Sequence, residues 1–351
     1  NWEKKNKDFF NSGDFANFFN NKLQDKTKDE IIKFKKTYAA DETKYATRKA
    51  SEKSLALLDN HIQNFIGGSA DLTGSNNTKT SEMSIFNADN YNGSYIYYGI
   101  REHAMAGVMN GLALHGGVRA YGGTFLVFSD YCRPSIRLAA LMNIPVIYVM
   151  THDSIGLGED GPTHQPVEHL AALRSIPNLK VIRPCDMIET IESWEIALET
   201  KSPTILALTR QGLPTFKRES YDKNMVNKGA YVIKNNSDYH ASIFASGSEV
   251  EIAVEASNKL EEKNMKLRVI SFPSIELFEN QDENYKKEII GKKPLFAVEA
   301  GVINGWEKYI NHKNFIGMSS FGASGPYKDV YKHFGITSDD ICEKIQLQLK
   351  F

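Results

Sequence analysis

Short apolar runs alternate along this chain with stretches whose apolar residues recur every three or four positions. The runs predict buried strands, and the stretches between them predict amphipathic helices. In the first part of the chain the predicted strands are 62–66, 95–98, 145–150, 180–182 and 203–208, and the predicted helices are 101–114, 125–141 and 187–199. Because strands that alternate with helices form crossover units, this pattern favours α/β domains built on parallel sheets.

The alternation stops and then restarts, which divides the chain. A polar stretch at 211–229 contains the helix and strand breakers Pro214 and Gly229. Beyond it, predicted strands at 231–233, 241–245, 267–271 and 295–299 accompany a predicted helix at 249–263, and helical segments follow Gly335. We therefore predict an α/β fold of two consecutive open, mostly parallel-sheet, three-layer domains. The predicted parts are an arm at 1–44, a first domain at 45–215, a linker at 216–229 and a second domain at 230–351.

The composition of the chain bears on its partners and on its location in the cell. The 42 Lys and Arg nearly cancel the 43 Asp and Glu, so no overall field favours nucleic acid or an anionic membrane. The three cysteines are far apart and lack the spacing of zinc sites, which favours a reducing, cytoplasmic location. No apolar run approaches the roughly 18 residues of a membrane span. The start at Asn1 is neither a signal peptide nor a Met-led terminus, so we expect the chain to be part of something longer.

Charged residues, histidines and glycines concentrate where predicted strands end. Open α/β sheets place their ligands at the carboxyl ends of strands, so these segments predict a site. They are Gly67-Gly68-Ser69-Ala70-Asp71-Leu72-Thr73, Tyr98-Gly99-Ile100-Arg101-Glu102-His103-Ala104-Met105, Tyr121-Gly122-Gly123-Thr124-Phe125-Leu126-Val127-Phe128, and the stretch from Thr151-His152-Asp153-Ser154 to Thr163-His164-Gln165-Pro166.

At these segments the sequence resembles the transketolase family. The similarity runs from Gly67 to Pro214 almost without gaps, and continues more loosely through the 321–328 segment to the C-terminus. The resemblance implies that the first domain is the pyrimidine-binding domain of a thiamine diphosphate site, followed by a transketolase C-terminal-like domain. The chain contains no Gly-Asp-Gly followed by Asn-Asn. We therefore expect the diphosphate and its Mg²⁺ or Ca²⁺ to be held by an N-terminal domain that this chain lacks, and predict no metal ligand here.

The resemblance assigns the central catalytic role to Glu102, which would hydrogen-bond the aminopyrimidine and promote its imino tautomer. Read without the motif, Glu102 is a charge at a helix start paired with Arg101. Phe125, Phe128 and Tyr131 recur every three residues and would form one stripe on a helix, which is usually core. The family instead makes this stripe the wall against which the pyrimidine stacks. By the same resemblance, Asp71 helps to position the cofactor.

The resemblance also implies a sugar-phosphate site. Arg48, Ser75, His152 and Arg210 would form a phosphate clamp, since several fixed donors are needed to hold a phosphate in water. Asp160 would bind the C2 hydroxyl of the sugar, while His164, and His152 with it, would assist proton movement. Taken singly, each has a simpler interpretation: the arginines as solvated charges, the histidines as structural groups and Asp160 as a turn residue.

The implied reaction is transfer of a two-carbon ketol unit from a ketose phosphate to an aldose phosphate, in the pentose phosphate pathway, by a homodimer or by assembly with the diphosphate-binding half. We expect the chain alone to be inactive. Alternatives are dihydroxyacetone synthase, deoxyxylulose phosphate synthase, a 2-oxoacid dehydrogenase β subunit and a non-catalytic dimerisation fragment. The second domain shows no comparable cluster of titratable groups at its strand ends, and we expect it to supply packing and dimer contacts only.

Overall fold

The first domain is built on a six-stranded sheet in the computed structural model, which describes residues 2–10, 23–234 and 238–350. The strand order is β3-β2-β4-β5-β7-β6, and every neighbouring pair is parallel. The strands are β2 (Phe65–Ser69), β3 (Tyr95–Tyr97), β4 (Arg119–Phe125), β5 (Ile147–Thr151), β6 (Lys180–Ile182) and β7 (Thr204–Leu208). A separate two-stranded ribbon pairs β1 (Tyr45–Ala46) with β8 (Gly212–Leu213) in antiparallel fashion.

Helices cover both faces of this sheet. In chain order the helices up to residue 199 are α1 (Trp2–Lys5), α2 (Lys7–Phe10), α3 (Asp25–Ala39), α4 (Thr47–Asp59), α5 (Thr73–Asn76), α6 (Glu102–His115), α7 (Ser129–Met142), α8 (His169–Arg174) and α9 (Met187–Glu199). Alternate residues of β5 enter different cores: Ile147 and Val149 pack with α4 and α9, whereas Tyr148 and Met150 pack with α6 and α7. The domain therefore has three layers, and its buried strands are apolar on both faces.

The second domain is a mixed five-stranded sheet in the order β13-β12-β10-β11-β9, in which only the β9–β11 pair is antiparallel. Its strands are β9 (Tyr231–Lys234), β10 (Ala241–Ala245), β11 (Leu267–Ser271), β12 (Leu295–Val298) and β13 (Phe315–Ile316). Its helices are α10 (Glu249–Glu261), α11 (Ile275–Glu279), α12 (Glu283–Ile290), α13 (Tyr327–His333) and α14 (Ser338–Leu349). The predicted fold class, two open and mostly parallel α/β sheets, is confirmed.

One predicted helix is wrong at its start. Residues 119–125 form the central strand β4, Leu126–Phe128 is a 3₁₀ turn, and the α-helix begins only at Ser129. The pair Gly122-Gly123 hid this strand, because glycine is rare inside strands and weakens the apolar pattern. Gly122 is needed for packing, since a Cβ there would overlap the sulfur atoms of Met105 and Met109 on α6.

Part of the predicted arm is packed on the first domain. Helix α3 buries Ile31 and Phe34 in the core that α4 and α9 share. The Lys35 ammonium, also buried, donates to Glu192 Oε1 of α9 at 2.9 Å and to the Lys223 carbonyl at 2.9 Å. The other Glu192 oxygen accepts from the backbone N–H of Met225 at 2.8 Å. Residues 11–22 of the predicted arm lie outside the described residues.

We expect Lys35→Met to lower the free energy of unfolding by about 3 to 5 kcal/mol, because it leaves a buried carboxylate without its cation. The matched control is Lys33→Met on the same helix, which removes an exposed ion pair with Glu30 and costs about 0.5 kcal/mol or less. Urea denaturation measures both variants. Equal effects of the two substitutions would show that the buried pair does not hold α3 in place.

Candidate functional site

Four parallel strands of the first domain bring their carboxyl ends to one edge of the sheet. Phe125 ends β4 and His152 directly follows β5, while Asp71 and Arg210 lie two residues beyond the ends of β2 and β7. Parallel strands end at a common edge, so residues distant in sequence meet there. Most of the predicted site residues fall into two groups at this edge, with Phe125 between the groups and Asp71 apart from them.

The first group is the mouth, defined by Arg48, Ser75, His152, Asp160, His164 and Arg210. Nη1 of Arg48 donates to the backbone carbonyl of Ser75 at 2.6 Å. Burial and the nearby Arg210 charge lower the pKa of Arg48, while Asp160 opposes the shift. Arg210 itself is exposed and lies 3.8 Å from a carboxylate oxygen of Glu159, an exposed pair of little strength. Two arginines therefore lie together with little neutralisation, as anion capture requires.

His152 is buried and contacts both Phe125 and Thr151. Its ring stacks on Phe125, with ring centroids 3.7 Å apart, and its Nδ1 lies 2.8 Å from Oγ1 of Thr151. That hydroxyl donates its one proton to Oδ1 of Asn76 at 2.7 Å. The Nδ1 of His152 must therefore carry the proton donated to Thr151, which leaves Nε2 as an acceptor. Burial, and then the charges of Arg48 and Arg210, lower the pKa of His152 to about 3. At neutral pH it is an uncharged imidazole.

A loop at 155–165 carries Asp160 and His164. Nε2 of Gln165 donates to the carbonyls of Gly158 at 3.0 Å and of Ala323 in the second domain at 2.9 Å. From the same second-domain segment, Oγ of Ser324 donates to the carbonyl of Glu159 at 2.5 Å. The loop is thus held against the second domain. No sequence motif points to Gln165, Thr151 or Asn76 as positioning groups, because each acts through a backbone atom or another side chain.

The second group is the aromatic recess, an open concavity of about 730 Å³ lined by Ile100, Arg101, Glu102, His103, Ala104, Phe128 and Tyr131. Glu102 is the first residue of α6 and is largely buried. Within the described residues its carboxyl group has no hydrogen-bond or ion-pair partner. Arg101 instead donates to the carbonyl of Tyr98 at 3.0 Å, so the alternative pairing of Glu102 with Arg101 is wrong. The carboxyl group of Glu102 is therefore available to a ligand in the recess.

Phe128 joins the two groups. Its ring stacks on Phe125 at 5.6 Å with 9° between the planes, and it meets His164 edge-on at 5.5 Å. It also contacts Tyr131, at 5.8 Å, on the side of the recess. The three aromatic residues do lie together, although Phe125 comes from a strand and the single helical stripe predicted for them is wrong.

Asp71 stands apart from both groups. It is exposed and takes a left-handed backbone conformation, φ 60°, shortly after β2. Over the described ranges, its carboxylate has no hydrogen-bond or ion-pair partner. Asp71 lies at the edge of the sheet where the parallel strands end. Among the described residues, no contact links it to Glu102 or His152.

The second domain does have a cluster of titratable groups at its strand ends, so that part of the prediction is wrong. Glu299 follows β12 and accepts two hydrogen bonds from Arg174 at 2.8 Å, one from Oγ of Ser246 at 2.6 Å and one from Nε1 of Trp306 at 2.9 Å. Burial opposes its charge, yet Arg174 and Arg183 lower the pKa of Glu299 to about 2. The cations come from the first domain, so the second domain's sequence alone does not show the cluster.

The candidate metal-binding group among the described residues lies outside both the mouth and the recess. In the described part of the chain, the group of His, Cys, Asp and Glu side chains close enough to share an ion is Asp130, Glu168 and His169, with both carboxylates exposed. Divalent magnesium and calcium prefer several oxygen ligands, which this group does not supply.

None of the described helices is both long enough and apolar enough to span a bilayer.

Two domain families match the sequence. The transketolase pyrimidine binding domain matches residues 43–215, and the transketolase-like TK C-terminal domain matches residues 229–337. A transketolase of Cereibacter sphaeroides is 51% identical over 313 residues, covering 89% of this chain and 48% of that protein. A transketolase of Sinorhizobium medicae is 52% identical over 317 residues, covering 89% and 46%. The chain spans about half the length of the curated relatives it matches.

Solved structures give the same picture. Transketolase of Pichia stipitis in complex with sedoheptulose 7-phosphate superposes with a TM-score of 0.85 and 42% identity, over 89% of this chain and 47% of that one. A split-gene transketolase, described as an inactive β4 tetramer, has a TM-score of 0.72 and 25% identity, over 87% of this chain and 98% of that one.

The state of His152 gives a direct test of the mouth. With a pKa of about 3 against an ordinary 6.5, His152 should stay neutral and Nδ1-protonated throughout pH 5–8. Its contribution to stability is full above pH 6.5 and is lost as pH falls toward 3, because the unfolded chain then binds the extra proton. Histidine-selective ¹⁵N NMR titration measures the protonation state and the tautomer of His152, with the other histidines as internal references.

Thr151→Val is the matched variant, because it removes the acceptor of the Nδ1 proton and should shift His152 toward the Nε2-protonated tautomer. A wild-type His152 that titrates near pH 6.5 would contradict this description of the mouth.

Proposed function

This chain belongs to the transketolase family, and we propose that it forms the pyrimidine-binding and substrate-binding half of an enzyme that transfers a two-carbon ketol group between sugar phosphates. One observation carries the proposal: a mouth with two arginines and two histidines opens beside an aromatic recess that holds an unpartnered carboxyl, Glu102. A ketose phosphate needs the first feature and an aminopyrimidine the second. Transfer from a ketose phosphate to an aldose phosphate places the reaction in the pentose phosphate pathway.

The recess fits the pyrimidine part of thiamine diphosphate. The ring of Phe128 lines the recess and offers a flat face for a planar heterocycle, with the buried ring of Phe125 stacked parallel to it. The carboxyl of Glu102 opens onto the same recess and can exchange a proton with a pyrimidine ring nitrogen. When bound, thiamine diphosphate supplies the carbanion chemistry of the reaction. We propose that Glu102, Phe125, Phe128 and Tyr131 hold its ring, and that Asp71 helps to position the cofactor.

The mouth fits a phosphorylated sugar. We propose that Arg48 and Arg210 bind the phosphate through charged hydrogen bonds, with Ser75 beside them. His152, being neutral with Nε2 as an acceptor, contributes a hydrogen bond from a substrate hydroxyl or phosphate O–H rather than a charge. Asp160 accepts from the C2 hydroxyl, and His164 moves a proton at the carbonyl or hydroxyl oxygen. His164 reaches the recess through its edge-on contact with Phe128.

The diphosphate and its divalent metal do not fit the described residues. Neither the mouth nor the recess combines carboxylates and carbonyls in the way that Mg²⁺ or Ca²⁺ needs. We propose that this part of the site comes from the family's diphosphate-binding domain, whether covalently attached or supplied by another polypeptide. The split-gene transketolase supports this, since it is a chain of similar extent and is described as inactive. We accordingly propose that this chain alone has no ketol-transfer activity.

An exposed apolar face on α6 and α7 supports assembly. Helices α6 and α7 present Val108, Leu114, Leu138 and Leu141, which are 45%, 58%, 47% and 68% exposed. Adjacent exposed apolar side chains of this kind mark interaction surfaces. Helix α6 begins at Glu102, which lines the recess, and we propose that a partner seated on α6 and α7 also closes the recess. We propose that the diphosphate-binding half covers this face in a homodimer, in the cytoplasm, where the three free and buried cysteines stay reduced.

We expect Glu102→Gln to lower kcat of the assembled enzyme by about 100-fold or more, the scale of a lost acid–base group. An amide keeps the size and hydrogen bonding of the side chain but cannot exchange the proton. Ketol transfer from xylulose 5-phosphate to ribose 5-phosphate measures the effect, with bound cofactor quantified in parallel. Near-normal turnover with full cofactor occupancy would contradict the role given to Glu102.

We expect Arg210→Ala to raise KM for a phosphorylated acceptor by about 10- to 100-fold, the worth of one charged hydrogen bond. KM for the corresponding free sugar should change little, because that substrate has no phosphate for Arg210 to bind. Steady-state kinetics with ribose 5-phosphate and with ribose separates the two cases. An equal increase for both sugars would show that Arg210 does not contact the phosphate.

A further inference from the structure

The backbone of His152 is strained and needs support. His152 has φ 59°, a left-handed conformation that costs a residue with a Cβ about 1 to 2 kcal/mol. Such a conformation persists only where the surroundings enforce it. The next two residues, Asp153 and Ser154, are both fully buried and both bound to groups outside their own strand. These two residues connect the mouth to the interior of the protein.

Asp153 is held by a buried arginine. Nε of Arg183 donates to Oδ2 of Asp153 at 2.8 Å. Nη1 of the same guanidinium donates to the Ser246 carbonyl at 2.9 Å and to the Glu249 carboxylate, both in the second domain. Burial opposes the charge, but the carboxylates of Glu249 and Asp153 raise the pKa of Arg183 well above its ordinary value. Arg183 therefore ties the end of β5 to the second domain.

Ser154 is held by a tyrosine of the second domain. The Tyr331 hydroxyl on α13 donates to Oε1 of Glu249 at 2.7 Å. Because that uses its single proton, the contact at 3.3 Å with Oγ of Ser154 has Ser154 as the donor. Oγ of Ser154 also accepts from the N–H of Gly156, at the start of the 155–165 loop. Tyr331 is thus one side chain away from the loop that carries Asp160 and His164.

These contacts close a ring. It runs from Asp153 through Arg183, Glu249 and Tyr331 to Ser154, and the backbone between Asp153 and Ser154 completes it. We propose that this ring is a positioning device through which the second domain fixes His152 in its left-handed conformation and sets the 155–165 loop for substrate binding. Arg183, Glu249 and Tyr331 are positioning residues in this scheme. The proposal rests on the function proposed for the mouth and assigns the second domain a role beyond packing and dimer contacts.

Tyr331→Phe tests the ring. It removes one hydroxyl and leaves Glu249 its contacts with Arg183 and Ser248, so the protein should fold. The matched control is Tyr309→Phe, which removes another tyrosine–glutamate hydrogen bond of the second domain, to Glu279, outside the ring. In the assembled enzyme we expect Tyr331→Phe to lower kcat/KM for ketol transfer about tenfold, and Tyr309→Phe to change it less than twofold, at similar melting temperatures.

Histidine-selective NMR on this chain gives a readout that does not depend on activity. We expect the His152 imidazole resonances to shift in Tyr331→Phe and to stay in place in Tyr309→Phe. Unchanged His152 resonances, or equal losses of kcat/KM in the two variants, would overturn the positioning role. If the assembled wild-type enzyme transfers no ketol group, the proposed function fails, and the NMR comparison still decides whether the ring positions His152.

Discussion

A fully buried arginine at the junction of the two domains is the constraint on which the site depends. Arg183 follows the strand β6, has no exposed surface, and is neutralised by Asp153 from its own domain and Glu249 from the other. An ion of this kind is tolerated in the interior only if its partners stay in place, because an unpaired buried charge costs several kcal/mol. Separating the two domains would therefore cost several kcal/mol of free energy. The same contacts fix the end of β5, where His152 lies.

We propose that one face of the molecule holds both a charged and a planar ligand, and two features of the site support this. The mouth keeps two arginines that no nearby carboxylate fully neutralises, and a histidine that burial keeps uncharged. The recess keeps an unpartnered carboxyl beside aromatic rings. Phe128 contacts groups on both sides, so a ligand stacked on its ring lies next to His164. In the function we propose, this geometry is half of a reaction centre, and the other half docks on the exposed apolar side chains of α6 and α7.

The fold class could be predicted from the sequence because the periodic spacing of apolar residues is visible in one sequence without an alignment. The strands at Ala241–Ala245 and Leu267–Ser271 and the helix Met187–Glu199 lie where the pattern predicted them. It missed β4, whose two glycines carry no strand signal: Gly122 is required by packing against Met105 and Met109 of α6, and Gly123 by packing against Asn76 and Thr78. It also missed the ring at the domain junction, because Asp153, Arg183, Glu249 and Tyr331 are paired by tertiary folding alone. Motifs identified Glu102, His152 and His164, whereas the neutral state of His152 depends on burial that no motif encodes.

The choice of donor tests the central claim most directly, because related folds with the same glutamate use pyruvate-type donors. The assembled enzyme would be given ribose 5-phosphate as acceptor and either xylulose 5-phosphate or pyruvate as donor. Our account predicts a seven-carbon ketose phosphate and glyceraldehyde 3-phosphate from xylulose 5-phosphate, and no release of carbon dioxide from pyruvate. Decarboxylation of pyruvate without ketol transfer from xylulose 5-phosphate would contradict it.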